Sequence, residues 1–238
     1  MANQSFTVGE VFRFSWGRIK SNFWLVVVVF TSTYLLSRGI YSVSESFGTT
    51  HVKTHFGTIT HVRWFPISLL IYTILLSPIS LATTKIALSI CDGAKVRYSE
   101  VLSSLRLVPK FMLCDVIIAL LLGSGVALMR VNQVLGILLG LVADFVCLRC
   151  LFWNYFIVDK ELLPIAALRV SYLATKIDFW RLLGLAFISL IFMGLFWLIT
   201  LIHNPLAKVV YIVCSSFMAA FVAIGTAFIY RRLLNNHA

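Results

Sequence analysis

The sequence RFSWGRIKSNFW at residues 13–24 returns, at a constant offset of 156 residues, as RVSYLATKIDFW at residues 169–180. Five of the seven polar and aromatic positions that define the pattern are identical, and the other two are conservative exchanges, Trp to Tyr and Asn to Asp. Each copy stands directly before a long apolar run. A segment repeated at a fixed spacing is typical of proteins built from similar units. The repeat therefore predicts helical modules embedded in a membrane.

Composition supports a membrane protein. Hydrophobic residues make up 60% of the 238 residues, charged residues 12%, and the mean hydropathy is +0.95. Soluble domains are typically about 45–50% apolar and about 25% charged. The net charge of +11 comes from basic residues scattered between apolar runs, not from one patch, so we expect no nucleic-acid partner.

Six apolar runs are long enough to cross a bilayer, which takes about 20 residues of helix. They cover approximately residues 23–43, 66–91, 111–129, 133–158, 179–202 and 206–230. The third and fourth runs, and the fifth and sixth, are separated by only a few polar residues, and short connections favour antiparallel helix pairs. We predict an all-α membrane protein with six transmembrane helices in three pseudo-repeated hairpins.

Lysine and arginine are unevenly distributed between the two sides of these spans. Thirteen of the 20 lie on the side of the N-terminus, five lie on the other side, and Lys85 and Arg149 lie within spans. The positive-inside rule places the more basic side in the cytoplasm. We expect a bacterial inner-membrane protein with both termini in the cytoplasm.

Each hairpin is preceded by a short amphipathic segment, which gives units of approximately 5–91, 97–158 and 163–230 within one domain, 1–238. Such helices suit the membrane interface, with aromatic rings at the headgroups and basic groups near phosphates. The residues expected there are Arg13, Trp16, Lys20, Trp24, Arg169, Tyr172, Lys176 and Trp180. They either anchor the spans or form a cytoplasmic collar that binds lipid or a protein partner.

Several motifs carry a family resemblance. They are FTVGE at residues 6–10, FSW at 14–16, KSNFW at 20–24, and PIAALR at 164–169 followed by Lys176 and FW at 179–180. Together they resemble a broad group of bacterial six-span integral membrane proteins, which includes the membrane domain fused to some glycerophosphodiester phosphodiesterases. The resemblance implies a six-span topology over the whole chain. It transfers no catalytic residues, and it implies no phosphodiesterase activity because these 238 residues contain no such domain.

Asp144 is the main candidate for an intramembrane polar site, because it lies within the fourth run near the expected bilayer midplane. A carboxylate at that depth costs about 2.5–3.5 kcal/mol on insertion scales. Arg149 follows in the same run, about 140° further around a helix, so the two side chains do not face one another. Either Asp144 hydrogen-bonds a neighbouring helix, or it binds a proton, a cation or a polar substrate.

Lys85 and Asp115 belong to the same candidate site. They lie at similar depth near the cytoplasmic ends of the second and third runs. They could form an ion pair between helices, or Lys85 could extend its ammonium group to the interface. We expect structural roles for both.

The loop at about residues 44–65 contains His51, His55 and His61, and two histidines four residues apart could ligate zinc or copper in a helix. The alternating pattern around them instead predicts a short β-hairpin, and Lys53 and Arg63 would repel a cation. We expect no metal and no cofactor.

Two further spacings lie within the fourth run. Cys147 and Cys150 form a C-x-x-C pair without a redox-fold context, so we expect buried free thiols. Gly136 and Gly140 form a G-x-x-x-G that allows helices to approach closely.

The sequence contains no glycine-rich phosphate loop, no H-E-x-x-H and no G-x-S-x-G, so we do not expect an enzyme. Our first hypothesis is a scaffold, assembly or envelope-homeostasis factor that acts through membrane lipids, a membrane protein partner or homo-oligomerisation. The alternative is a small permease with a polar cavity around Asp144 and Arg149. An intramembrane lipid enzyme is the least favoured hypothesis.

Overall fold

The computed structural model describes residues 6–53, 59–63, 65–129, 131–176, 178–199, 201 and 205–237. Within them the chain forms ten α-helices, one 3₁₀ turn and one two-stranded hairpin. The helices are α1 Val8–Ser21, α2 Phe23–Gly48, α3 Phe65–Cys91, α4 Tyr98–Ser104, α5 Val108–Met129, α6 Gln133–Arg149, α7 Trp153–Lys160, α8 Pro164–Ala174, α9 Phe179–Ile199 and α10 Pro205–His237. The 3₁₀ turn is Leu105–Leu107, and the strands are β1 Thr49–Lys53 and β2 Ile59–Arg63.

Six candidate membrane spans indicate a multi-pass membrane protein. They are Phe23–Val43, Ile71–Cys91, Ser99–Met129, Gln133–Lys160, Phe179–Phe196 and Val209–Asn235. The short helices α1, α4 and α8 stand where the amphipathic segments were expected. Strands β1 and β2 connect α2 to α3 and pair antiparallel, with His51 opposite His61 in the register. His55 lies outside the described residues.

Helix α1 begins at a capping box. The Thr7 hydroxyl accepts the backbone N–H of Glu10 at 3.3 Å, and the Glu10 carboxylate accepts the N–H of Thr7 at 3.1 Å. This backbone hydrogen bond and the Arg232 guanidinium, 2.7 Å away, hold the pKa of Glu10 below its usual range. Because the folded pKa is the lower one, the stabilisation is complete above the usual carboxyl range and is lost as pH falls through the folded pKa.

The fourth run, predicted as a span at 133–158, is a candidate span at Gln133–Lys160 that consists of two helices. Helix α6 ends at Arg149 and α7 begins at Trp153. Helix α8 satisfies the freed backbone groups: the Ser171 hydroxyl accepts the N–H of Phe152 at 3.0 Å, and the Thr175 hydroxyl donates to the Arg149 carbonyl at 2.7 Å. A broken helix at membrane depth persists only where protein groups satisfy its backbone.

Helices α5 and α6 pack at very close range. A Cβ on Gly125 would lie 3.0 Å from the Gly140 Cα, and a Cβ on Gly136 would overlap the backbone of Met129. The G-x-x-x-G spacing therefore serves the close approach that it predicted. Asn132 starts α6 by accepting the N–H groups of Val134 and Leu135.

Helix α10 is the centre of the bundle. It contacts α1, α2, α3 and α9, and it buries Ala220, Ile224, Ala227, Ile229 and Tyr230. Its 33 residues span about 50 Å at 1.5 Å per residue, which exceeds a hydrocarbon core of about 30 Å. It continues past residue 230, where the apolar run was expected to end, because its last turns are held by the ion pairs of Arg231 and Arg232 and by the buried side chain of Leu233.

Candidate functional site

Asp144 lies on the outer surface of the bundle. Its side chain is exposed on α6, among the large exposed apolar side chains of Leu141, Val142 and Phe145. At 1.5 Å per residue it lies about 16 Å along the axis from Gln133 and about 8 Å from Arg149. No described residue hydrogen-bonds or ion-pairs with its carboxylate.

Arg149 has the opposite environment, because it is only 8% exposed. Its guanidinium carbon lies 4.6 Å from the ring centre of Tyr172 and 5.6 Å from that of Phe179. Its Nε atom has no hydrogen-bond partner among the described atoms. Cation–π contacts of this kind are stronger when desolvated. Arg149 therefore joins α6 to the second copy of the repeat, and it does not meet Asp144.

Lys85 and Asp115 do not form the ion pair that was considered. The Asp115 carboxylate on α5 instead accepts the hydroxyl of Ser77 on α3 at 2.5 Å. Ser77 is also bonded to its own helix, through the Thr73 carbonyl at 2.8 Å. Lys85 is half-buried and has no described ionic partner. Asp115 thus fixes α5 to α3, which is a structural role.

The interfacial residues keep matching environments in the two copies of the repeat. Trp24 and Trp180 are 77% and 78% exposed, and each contacts the preceding phenylalanine edge-on at a ring-centre distance of 5.6 Å. The basic members Arg13, Lys20, Arg169 and Lys176 are all exposed. Trp16 is exposed, whereas Tyr172 also packs on Arg149. The surface presents exposed indoles beside exposed cations, the arrangement found at membrane interfaces.

The structure contains a cavity that sequence reasoning missed. It has a volume of about 540 Å³ between α2, α3, α7, α9 and α10. Of the 18 described residues that line it, ten carry a polar side chain and none carries a charge. The sequence signal was the pairing of Ser and Thr at i, i+4 positions in α2 and α3, such as Thr33 with Ser37 and Ser80 with Thr84. Scattered through apolar runs, these residues gave no indication that they would meet.

A second cavity of about 320 Å³ adjoins the first, since both are lined by Tyr34 and Ser37. Its other lining residues are Arg38, Tyr41, Tyr72 and Tyr211. Neither cavity is lined by Asp144, Arg149, Lys85 or Asp115.

The ends of α3, α7 and α10 meet in a polar cluster. The Arg231 guanidinium donates to both carboxylate oxygens of Asp92, at 2.9 and 2.6 Å, and to Asp159 at 2.8 Å. The Tyr230 hydroxyl donates to the other Asp159 oxygen at 3.0 Å. Arg231 therefore bonds α10 to α7 and to the residue that follows α3.

No family model, curated protein or solved structure matches this chain. Its cysteines are free thiols, and those of Cys114 and Cys150 point at carbonyl groups of α8, which agrees with packing roles. Among the described residues, no three His, Cys, Asp or Glu side chains come together as metal ligands.

Proposed function

We propose that this chain is a non-enzymatic, multi-pass protein of a bacterial inner membrane, a scaffold, assembly or envelope-homeostasis factor that acts by binding a membrane protein partner. In this proposal both termini are cytoplasmic, and the spans form three pseudo-repeated hairpins, each preceded by an interfacial helix. The asymmetry of basic residues supports this orientation. The motif resemblance to bacterial six-span membrane proteins, including the membrane domain fused to some phosphodiesterases, supports the topology.

The observation that carries the proposal is the position of Asp144. A carboxylate exposed among apolar side chains on a candidate span would face hydrocarbon, at a cost of about 2.5–3.5 kcal/mol on insertion scales. Its side chain is too short to reach either end of the candidate span Gln133–Lys160, which lie about 16 and 24 Å away at 1.5 Å per residue. A partner helix that covers this face and satisfies the carboxylate removes the cost.

The partner's chemistry follows from that carboxylate. A second copy docked symmetrically through α6 would bring two Asp144 carboxylates together, and like charges at close range disfavour ionisation of both. A helix that offers a basic or hydroxyl-bearing side chain, with small or apolar neighbours, complements the face. A different membrane protein is therefore the expected partner, and homo-oligomerisation is the alternative outcome of the test.

The exposed Trp24 and Trp180, with the basic residues beside them, support lipid contact at the interface. These residues fix the depth at which the bundle sits in the membrane. That depth sets the level in the bilayer at which a partner helix must place the group that binds Asp144.

The test compares Asp144→Leu with Ser32→Leu, a polar-to-apolar change at an exposed position on α2. Each full chain is released gently from its own membranes and examined by native mass spectrometry. We expect wild type and Ser32→Leu to retain a stoichiometric protein partner. We expect the affinity of Asp144→Leu for that partner to fall about tenfold or more, equivalent to about 1.4 kcal/mol. Released Asp144→Leu should be at least as thermally stable as wild type. An undiminished partner on Asp144→Leu, or none on wild type, contradicts the proposal.

The permease alternative draws support from the 540 Å³ cavity and no longer from Asp144. This alternative places the substrate between α2, α3 and α10. It requires that the protein transport a small polar solute in reconstituted vesicles and that Asp144→Asn transport it equally well.

A further inference from the structure

The two adjoining cavities differ in character along the length of α2. The larger one is uncharged and occupies the middle of the bundle, from Thr33 on α2 to Thr226 on α10. The smaller one contains Arg38 and four tyrosines and lies nearer the end of α2 that leads to the β-hairpin. Together they form a two-part space with an uncharged interior and a cationic, phenol-rich mouth.

Most hydroxyl groups in the larger cavity are already used. Those of Ser37, Thr83 and Thr84 donate to backbone carbonyls one turn earlier in their own helices. A hydroxyl that donates in this way presents its oxygen, an acceptor, and its carbon atoms to the cavity. The wall is therefore mainly apolar with scattered acceptors, which suits an acyl chain and the ester region of a lipid better than a hydrated ion.

Ser215 supplies an independent sign of an occupant. Its side chain lines the cavity and is only 3% exposed, yet its Oγ atom has no hydrogen-bond partner among the described atoms. A buried hydroxyl left without a partner is destabilising. Rotation of the Ser215 side chain would turn this hydroxyl into the cavity, where an ester or ether oxygen would accept its hydrogen.

The mouth has the groups that recognise an anion. Arg38 is exposed and lines the smaller cavity together with Tyr34 and Tyr72. Two edge-on tyrosine pairs flank the space, Tyr34 with Tyr211 at 6.4 Å and Tyr41 with Tyr72 at 6.1 Å between ring centres. An arginine fork matches the oxygens of a phosphate, and phenol hydroxyls can donate to the same group.

We propose that this double cavity binds one anionic phospholipid, with its phosphate at Arg38 and an acyl chain between α2, α3 and α10. Arg38 lies five residues, or about 8 Å along the helix, before the end of the first span at Val43, so the phosphate sits near the boundary of the hydrocarbon region. The volume of about 540 Å³ lies within the range of ligand pockets, about 300–1,000 Å³. The proposal is independent of the partner-binding function, because it uses neither Asp144 nor the outer face of α6.

The test measures lipid binding to the delipidated full chain by native mass spectrometry, with phosphatidylglycerol, phosphatidylcholine and inorganic phosphate as probes. We expect one tightly held phosphatidylglycerol and weaker phosphatidylcholine. Arg38→Gln should weaken phosphatidylglycerol about tenfold or more, and Ala219→Phe, which fills the larger cavity, should weaken both lipids. Arg97→Gln is the matched control, because Arg97 is an exposed arginine outside both cavities and outside the interfacial set.

Three results would overturn the proposal. Equal binding of the two lipids with no effect of Arg38→Gln removes the anion site. Phosphatidylglycerol binding that survives Ala219→Phe removes the acyl-chain site. Displacement of the lipid by inorganic phosphate alone, or tight binding of phosphate with no lipid, means that the ligand is a free anion. Thermal unfolding of each variant establishes that it is folded, and retention of the protein partner by Arg38→Gln and Ala219→Phe separates this site from the Asp144 face.

Discussion

Ser15 and Ser171 occupy equivalent positions in the repeat, and both are fully buried, but their hydroxyl groups have different partners. The Ser171 hydroxyl accepts the N–H of Phe152 in the break between α6 and α7. The Ser15 hydroxyl has no hydrogen-bond partner among the described atoms and lies against Gly225 of α10. The identity of these residues in the sequence therefore reflects a small, buried position, and only the second copy uses the polar atom.

The different hydrogen bonding of Ser15 and Ser171 can be tested with a matched pair of alanine substitutions. Ser171→Ala should destabilise the protein by about 1–3 kcal/mol, because it leaves a buried backbone N–H without an acceptor. Ser15→Ala should change stability by no more than about 0.5 kcal/mol, because no hydrogen bond is lost. Thermal or chemical unfolding in detergent measures both, and equal losses would show that the Phe152 bond contributes nothing.

At the scale of the element, α5 and α6 approach each other very closely, and glycine makes that approach possible. A side chain at Gly136 has no space, since its Cβ would overlap the backbone of Met129. Backbone atoms cannot move aside as a flexible side chain can, so the two helices would have to separate. By contrast, a Cβ at Gly194 of α9 meets nothing within 4 Å.

Gly136→Ala should therefore cost about 1–3 kcal/mol, the usual range for overpacking a tight contact. Gly194→Ala should be neutral or slightly stabilising, because alanine is the better helix former and the site is open. The comparison is made by thermal unfolding in the same detergent. Unchanged stability of Gly136→Ala would mean that α5 and α6 are less close than described.

Hydrophobic periodicity located the short helices but not the break between α6 and α7. The amphipathic patterns located α1, α4 and α8, and both α1 and α8 bury one face against the bundle. The break at residues 150–152 could not be inferred, because apolar residues continue through it and the hydroxyl groups that stabilise it belong to α8, about 20 residues later.

For the whole molecule, the C-terminal turns of α10 connect several elements through charge. Arg231 makes three charge-assisted hydrogen bonds, two to Asp92 and one to Asp159, whereas Arg232 makes one to Glu10 on α1. Asp92 follows α3 and Asp159 belongs to α7. The arginine fork suits this bidentate arrangement, and a lysine ammonium cannot reproduce it.

Arg231→Lys should accordingly lower stability by about 1.5–3 kcal/mol, since hydrogen bonds to charged groups are lost. Arg232→Lys, the neighbouring control, should cost about 0–1 kcal/mol, as expected for a single exposed pair. Unfolding in detergent at low and high salt measures both. A loss from Arg232→Lys as large as that from Arg231→Lys would contradict the connecting role of Arg231.

The amino-acid sequence was enough to predict the helical class, the six apolar helices and the positions of the short helices, because these depend on local composition and periodicity. It also located the polar residues inside the spans, since charge is conspicuous in an apolar run. The contacts of those residues became apparent only from the packed helices: Asp144 lies on an outer face, Asp115 accepts a hydrogen bond from Ser77, and Arg149 packs on aromatic rings. The physical reason is that the side of a helix that meets its neighbours depends on how all the helices pack together. For the same reason the sequence could not show that Ser and Thr residues of α2, α3 and α10 line one shared cavity.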